Sequence, residues 1–197
     1  MEVLELLMDK PVIVTEKLEG QNFSITWDAA KEKIFVNQRN YSIEPIEEKT
    51  HDFWSLYEDH GYDDLMRMVV DSFGKDKNLT LYGEYLGPGV QGNIYKLVEN
   101  KVKLFDLKIN EDYLSAVEFN EYFLVDKRVP TVFQGGTLRE FLQDKDVVEA
   151  SHGTSTLNAG TFREGIVIKP EHEERVDGFG RLIVKQRDTI YLAQSKL

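Results

Sequence analysis

Five short polar constellations stand where apolar runs end, and their residue types are those that handle phosphates. Glu16-Lys17-Leu18-Glu19-Gly20 follows the β-branched run Pro11–Thr15. It puts an amine at a strand end, before a glycine that lets the chain turn. Asn37-Gln38-Arg39-Asn40 ends a second strand, and Leu81-Tyr82-Gly83-Glu84 ends a third with a carboxylate. In Arg163-Glu164-Gly165-Ile166-Val167-Ile168-Lys169 a carboxylate precedes an apolar strand and a lysine follows it. Val184-Lys185-Gln186-Arg187 puts two cations on one face, because strand side chains repeat every two residues. Singly, each has a plain structural reading, such as a surface Lys/Glu pair before a turn or a solvated arginine. Together they supply one amine nucleophile (Lys17), two carboxylates (Glu84, Glu164) and four cations (Arg39, Lys169, Lys185, Arg187). A nucleoside triphosphate with a divalent metal needs such a set: cations for phosphate oxygens, carboxylates for the metal, an amine for attack. The sequence has no Walker loop or kinase glycine loop, and Gly87-Pro-Gly-Val-Gln-Gly92 matches neither.

The elements that must position these groups are legible as short strands and a few helices. Pro11–Thr15 reads as a strand, and Asn22–Trp27 with Lys33–Gln38 as a hairpin turning at Asp28–Lys31. Residues 43–52 are charged and loop-like. Helical spacing runs from Phe53 to Phe73, with Gly61 dividing it and Gly74 as a C-cap. Strands are expected at Leu79–Glu84, Lys101–Ile109, Gly165–Lys169 and Leu182–Gln186, and a helical turn from Asp188. A helix is expected over residues 115–126, and another from a Thr137/Glu140 capping box to about Ala150. This irregular alternation predicts an α+β fold of mostly antiparallel sheets rather than a doubly wound one.

Composition narrows the chemistry. With 197 residues and 41% hydrophobic content the chain can bury a core of its own. It has no cysteine, which excludes disulfides, thiolate metal sites and a cysteine nucleophile. The histidines (His51, His60, His152, His172) lack metal spacing, which argues against zinc. No run is long enough to span a bilayer, and the acidic start MEVLELLMDK is no signal peptide, so a cytoplasmic domain is expected. The ending Ser195-Lys196-Leu197 has the form of a peroxisomal address. A net charge of −11 argues against a broad basic surface for nucleic acid but allows one local basic cleft.

In order along the chain, EKLEG, LYGE, KLFDLKI, REGIVIKP and IVKQR resemble motifs I, III, IIIa, IV and V of the covalent nucleotidyltransferases. That superfamily holds ATP-dependent DNA ligases, RNA ligases and mRNA-capping guanylyltransferases. The stretches EKLEGQNFSITW and GEYLGPGVQGN are most similar to nick-sealing RNA ligases of the phage and bacterial type. The resemblance covers about residues 11–190 and implies a nucleotidyltransferase (ATP-grasp-like) domain of mostly antiparallel sheets flanked by helices. It implies Lys17 as the catalytic nucleophile that takes AMP from ATP, with Mg²⁺ or Mn²⁺. Glu16 falls where the adenine amine is recognised, Asn22 at the outer phosphates, and Arg39 over the ribose. Glu84 corresponds to the glutamate on the ribose hydroxyls, and Phe105 to the aromatic stacked on adenine. Glu164 corresponds to the glutamate that organises the metal, with Glu84 as the second metal candidate. Lys185 matches the lysine on the α-phosphate, with Arg187 and Lys169 as further nucleotide-binding cations.

Two departures shape the expectations. Motif I ends in Glu19-Gly20 instead of Asp-Gly, which favours the RNA-ligase side. Motif V offers Lys185 with Arg187, or Ile183 with Lys185, where a Lys-x-Lys pair is the pattern. The expected arrangement is one adenylyltransferase domain over residues 1–197, without a C-terminal OB or accessory domain. Its expected partners are RNA ends or a nicked duplex, with a partner domain or protein for grip and no membrane. The expected activity is ATP-dependent RNA ligation through lysyl-AMP. The alternatives are a DNA-ligase or capping-type core, or a nucleotide- or RNA-binding module that does not seal.

Overall fold

The computed structural model describes residues 3–39, 41–45 and 52–194. His51, Asn40 and Ser195-Lys196-Leu197 lie outside the described residues, as do residues 46–51 of the charged loop at 43–52. The chain divides into two compact units, one of residues 1–19, 92–96 and 115–197, the other of residues 20–91 and 97–114.

The first unit opens with a 3-10 turn, Glu5–Leu7, and strand β1, Pro11–Lys17. The expected strand therefore continues two residues further, and Lys17 is its last residue.

The second unit carries β2 (Gln21–Asp28), β3 (Lys33–Gln38), β4 (Tyr41–Ile43), β5 (Leu79–Leu86), β6 (Lys101–Ile109) and β7 (Asp112–Tyr113). They form one antiparallel sheet in the order β4-β3-β2-β5-β6-β7. Helices α1 (Asp52–Asp59) and α2 (Tyr62–Phe73) are divided at Gly61, whose φ of 74° suits a residue without Cβ. Alternation along β2 turns Phe23 and Ile25 to the helices, where Phe23 meets Phe53 and Tyr62 edge to face at 5.0 and 6.0 Å. Asn22, Ser24 and Thr26 stand on the opposite face, in register with Glu84, Tyr82 and Thr80.

The chain then returns to the first unit with α3 (Ala116–Tyr122), β8 (Thr131–Thr137), α4 (Leu138–Leu142) and α5 (Val147–Ser151). Strand β9 (Gly165–Pro170), the hairpin β10 (Arg175–Val176) and β11 (Gly180–Arg181), β12 (Val184–Arg187) and α6 (Thr189–Gln194) complete it. The main sheet here is antiparallel in the order β12-β9-β1-β8. Val12, Val14, Ile166 and Ile168 pack with Leu138 and Leu142 as its core. The Thr137/Glu140 capping box forms as expected, but the helix stops at Leu142 because Gln143 turns to φ 53°. A second capping box, Asp146 with Glu149, starts α5. The expected helix over 115–126 is capped at Ser115 and ends at Tyr122, and the expected strand at Leu182 begins at Val184. The architecture is α+β with antiparallel sheets, as expected. No described helix is long and apolar enough to cross a membrane.

Candidate active site

In the first unit, β1, β9 and β12 line up so that Lys17, Gly165 and Arg187 share one cross-strand row. Gly165 is demanded by crowding: a Cβ there would lie 2.0 Å from the Gln186 carbonyl oxygen. The side chains on either side of this glycine converge on one carboxylate oxygen. Lys17 Nζ is 2.6 Å from Glu164 Oε1, and Arg187 Nε is 3.2 Å from the same atom. Glu164 is 5% exposed, so its charge has little water around it, and the two cations replace that solvation. Thr15, Val167 and Lys185 form the next row, and Ile13 with Lys169 the row beyond. Period two places all of these on the Lys17 face, so one sheet surface carries Lys17, Lys169, Lys185 and Arg187.

Glu16, one residue before the lysine, takes the opposite face. It is 2% exposed, accepts from Ser155 Oγ at 2.8 Å and from the Thr156 N–H at 2.6 Å. Arg163 is buried nearby and donates to the carbonyls of Ser151, Ala150 and His152 at 2.9, 3.3 and 2.5 Å. Burial pulls its pKa below the ordinary arginine value, against the opposing influence of Glu16 and Asp188.

Glu19 is clamped from three sides. Its N–H donates to Tyr95 Oη at 2.7 Å, and its carboxylate accepts from the Gly92 N–H at 3.2 Å and from the Tyr191 hydroxyl. Burial pushes both tyrosine hydroxyls well above their ordinary pKa, and the bond to Glu19 adds to the rise at Tyr191. Both stay neutral donors and acceptors at physiological pH.

In the second unit, Asn22 and Glu84 are cross-strand neighbours on β2 and β5. Strand β6 carries a bulge opposite Tyr82 and Gly83, and Phe105 lies in it. Its ring stacks on Tyr82 at 6.4 Å and 23°, and Tyr82 in turn meets Tyr113 at 6.2 Å. Arg39 is exposed in the turn between β3 and β4 at φ 49°, a left-handed conformation that few arginines adopt. Gly20 opens this unit because a Cβ would lie 2.4 Å from the Tyr85 carbonyl oxygen; close approach of the backbone, not a left-handed turn, requires it.

Each unit thus gathers its own share of the sequence candidates. Lys17, Glu164 and Arg187 touch, with Lys185 and Lys169 on the same face, while Glu16 points away from them. Asn22 adjoins Glu84, and Phe105 joins an aromatic row. Sequence reasoning missed Ser155, Thr156, Tyr95, Tyr191 and the Asp188–His152 pair. None belongs to a charged strand-end motif, and the serine and tyrosines carry no signal of their own. Among the described residues no three His, Asp or Glu side chains gather as a metal nest.

The model of the family described as RNA ligase matches residues 10–187. No curated protein matches the chain in sequence. Among solved structures, a lysine-to-alanine variant of the Naegleria gruberi RNA ligase with ATP and manganese is 24% identical, with a TM-score of 0.74. A lysine-to-methionine variant with AMP and manganese and the same ligase with pyrophosphate are each 24% identical at 0.73. Each comparison takes in 98% of this chain and 54% of the other, so the chain spans about half the length of these ligases. At that identity the likeness establishes the fold. The family match takes in Lys17, Glu84, Glu164 and Lys185 in a single stretch, and by it the chain belongs to the RNA ligase family.

Proposed function

We propose that this chain is the adenylyltransferase domain of an ATP-dependent RNA ligase, with Lys17 as its nucleophile. The observation that carries the reading is the Lys17–Glu164–Arg187 cluster across Gly165, with Lys185 and Lys169 on the same face. After its ammonium gives up a proton to solvent water, Lys17 Nζ attacks the α-phosphorus of ATP. The N–P bond forms, the bond to the β-phosphate oxygen breaks, and pyrophosphate leaves. An oxygen of an RNA 5′-phosphate then attacks the lysyl-AMP phosphorus and frees the lysine. Finally a 3′-hydroxyl displaces AMP and closes the phosphodiester.

Such phosphoryl transfers depend on positioning and charge neutralisation. Arg187 and Lys185, on the Lys17 face, are proposed to meet the α-phosphate oxygens. Asn22, Arg39, Glu84 and Phe105 are proposed for the outer phosphates, ribose and base, and Glu16 for the adenine amine. Magnesium keeps much of its water and takes one or two carboxylates plus substrate phosphates. Glu164 is proposed as a protein ligand to the metal, with Glu84 as the second candidate offered by the family resemblance, and so few protein ligands suit that habit better than a cage would. When bound, Mg²⁺ or Mn²⁺ supplies positive charge to the phosphate oxygens. With a net charge of −11, a partner domain or protein is proposed to help grip the RNA, and the cytoplasm is the proposed location.

The test is intact-mass spectrometry after incubation with ATP and Mg²⁺ or Mn²⁺, beside Lys17→Ala. Wild type is expected to gain one AMP, about 329 Da, and the variant none. Absence of the adduct from folded, initially unmodified protein with either metal overturns the nucleophile assignment. Labelling by GTP in place of ATP points to the capping-type alternative. Sealing of nicks that require a 3′-terminal ribose separates RNA from DNA ligation.

A further inference from the structure

Asp188 follows Arg187 directly and is completely buried. Its backbone N–H donates to the Glu164 carbonyl at 2.9 Å, so it ties the end of β12 to the residue that carries the site's carboxylate. Its Oδ1 accepts from the Ile190 N–H at 2.7 Å, as an N-cap does at the start of α6. The same oxygen lies 2.8 Å from His152 Nδ1. Helix α6 carries Tyr191, whose hydroxyl donates to Glu19, two residues after the lysine. His152 is itself fixed at the end of α5, where its carbonyl accepts from Arg163. One buried residue therefore borders Arg187, holds the backbone of Glu164 and seats the helix that reaches Glu19.

We propose that Asp188, held by His152, is the positioning residue that sets Glu164 and Arg187 against Lys17 for adenylylation. The proposal rests on the ligase reading above. Asp188 Oδ2 has no hydrogen-bond partner among the described residues, a costly state for a buried oxygen. Burial alone therefore does not favour this side chain. The two contacts at Oδ1 do: one seats α6, which reaches Glu19 through Tyr191, and the other holds His152, whose carbonyl accepts from Arg163, the neighbour of Glu164; they keep in place a backbone whose own N–H meets Glu164. Neither Asp188 nor His152 contacts Lys17 in the described geometry, so their influence runs through Glu164, Arg187 and α6.

The test measures single-turnover AMP uptake across a range of ATP concentrations, with thermal melting as a check on folding. Asp188→Ala is expected to lower the maximal rate at least about tenfold and to leave half-saturating ATP within about threefold. Asp188→Asn keeps an acceptor for both Ile190 and His152 and is expected to recover to within about threefold of wild type. His152 is partly exposed and lies outside the buried apolar cluster of its unit, so His152→Ala is expected to fold and serves as a second variant, with an expected loss of about three- to tenfold. In protein free of ATP and metal, hydrogen exchange at the Asp188 amide is expected to quicken in His152→Ala. Wild-type rates in a folded alanine variant, a change in half-saturating ATP alone, an Asp188→Asn as slow as Asp188→Ala, or unchanged exchange would each overturn the proposal. Failure of wild type to take up AMP refutes the ligase reading instead, and the exchange measurement still decides whether His152 holds Asp188.

Discussion

Replacing Gly165 by alanine tests the geometry on which the site depends. The new Cβ would lie 2.0 Å from the Gln186 carbonyl oxygen and 2.8 Å from Arg187 Cα, both backbone atoms. Ordinary contact begins at 3.4 Å, so the carbonyl must retreat by about 1.4 Å. The adjoining bond from the Asp188 N–H to the Glu164 carbonyl spans 2.9 Å, and such a retreat stretches it beyond hydrogen-bonding range. Losing that bond costs about 1 kcal/mol, and the overpacking adds about 1–3 kcal/mol. For a chain of this length the sum lowers Tm by roughly 10 °C. The same displacement carries Arg187 away from Glu164, and a shift of about 1 Å at a reacting centre costs about a hundredfold in rate. Far-UV circular dichroism melts and the rate of AMP uptake read the two effects separately. An alanine variant that melts within about 1 °C of wild type and takes up AMP at the wild-type rate refutes the crowding and the role given to the row.

Two further perturbations address the buried groups. Arg163→Met removes three hydrogen bonds and the cation that faces Glu16 and Asp188; a loss of about 3–5 kcal/mol is expected in urea unfolding. Loss of less than about 1 kcal/mol would show that those two carboxylates do not need it. Burial holds the Tyr95 hydroxyl above its ordinary pKa of 10.0, so above that pH the unfolded chain releases a proton that the folded chain keeps. Stability is therefore whole below pH 10 and falls as pH rises beyond it. Tyr95→Phe is expected to make that alkaline fall shallower, with Tyr57, Tyr85 and Tyr191, also raised by burial, contributing to what remains; an identical pH profile counts against the burial.

The strand-end motifs were readable because their chemistry and their punctuation coincide. Lys17, Glu84, Glu164 and Lys185 each stand beside an apolar, β-branched or aromatic run, so pattern and residue type pointed to the same positions. The division at Gly61 and the Thr137/Glu140 capping box were equally local, and both formed. The break at Gln143 was harder to read, although Asp146 and Glu149 repeat the capping-box spacing three residues later. Strand β8, with Gly135-Gly136 inside it, lacks the alternation that marks a strand, and its pairing with β1 is a long-range effect. The same limit hid Ser155, Tyr95 and Asp188. Their importance lies in which buried group they meet, and Glu16 and Ser155 are 139 positions apart. A sequence reveals a candidate lysine more readily than it reveals what holds that lysine's neighbours.

The order of strands β12-β9-β1-β8 has a consequence for how the protein is born. Lys17 leaves the ribosome before Glu164 and Arg187, its partners in the row, which are made some 150 to 170 residues later. At about 5–20 residues per second that interval lasts on the order of ten to thirty seconds. Throughout it the amine has neither its carboxylate nor its arginine, and β1 lacks β9, one of its two sheet partners. Residues 20–91 complete the greater part of their own sheet during the same interval, from neighbours close in sequence. The row around Lys17 is thus completed only once β9 and β12 have been made, long after the lysine itself.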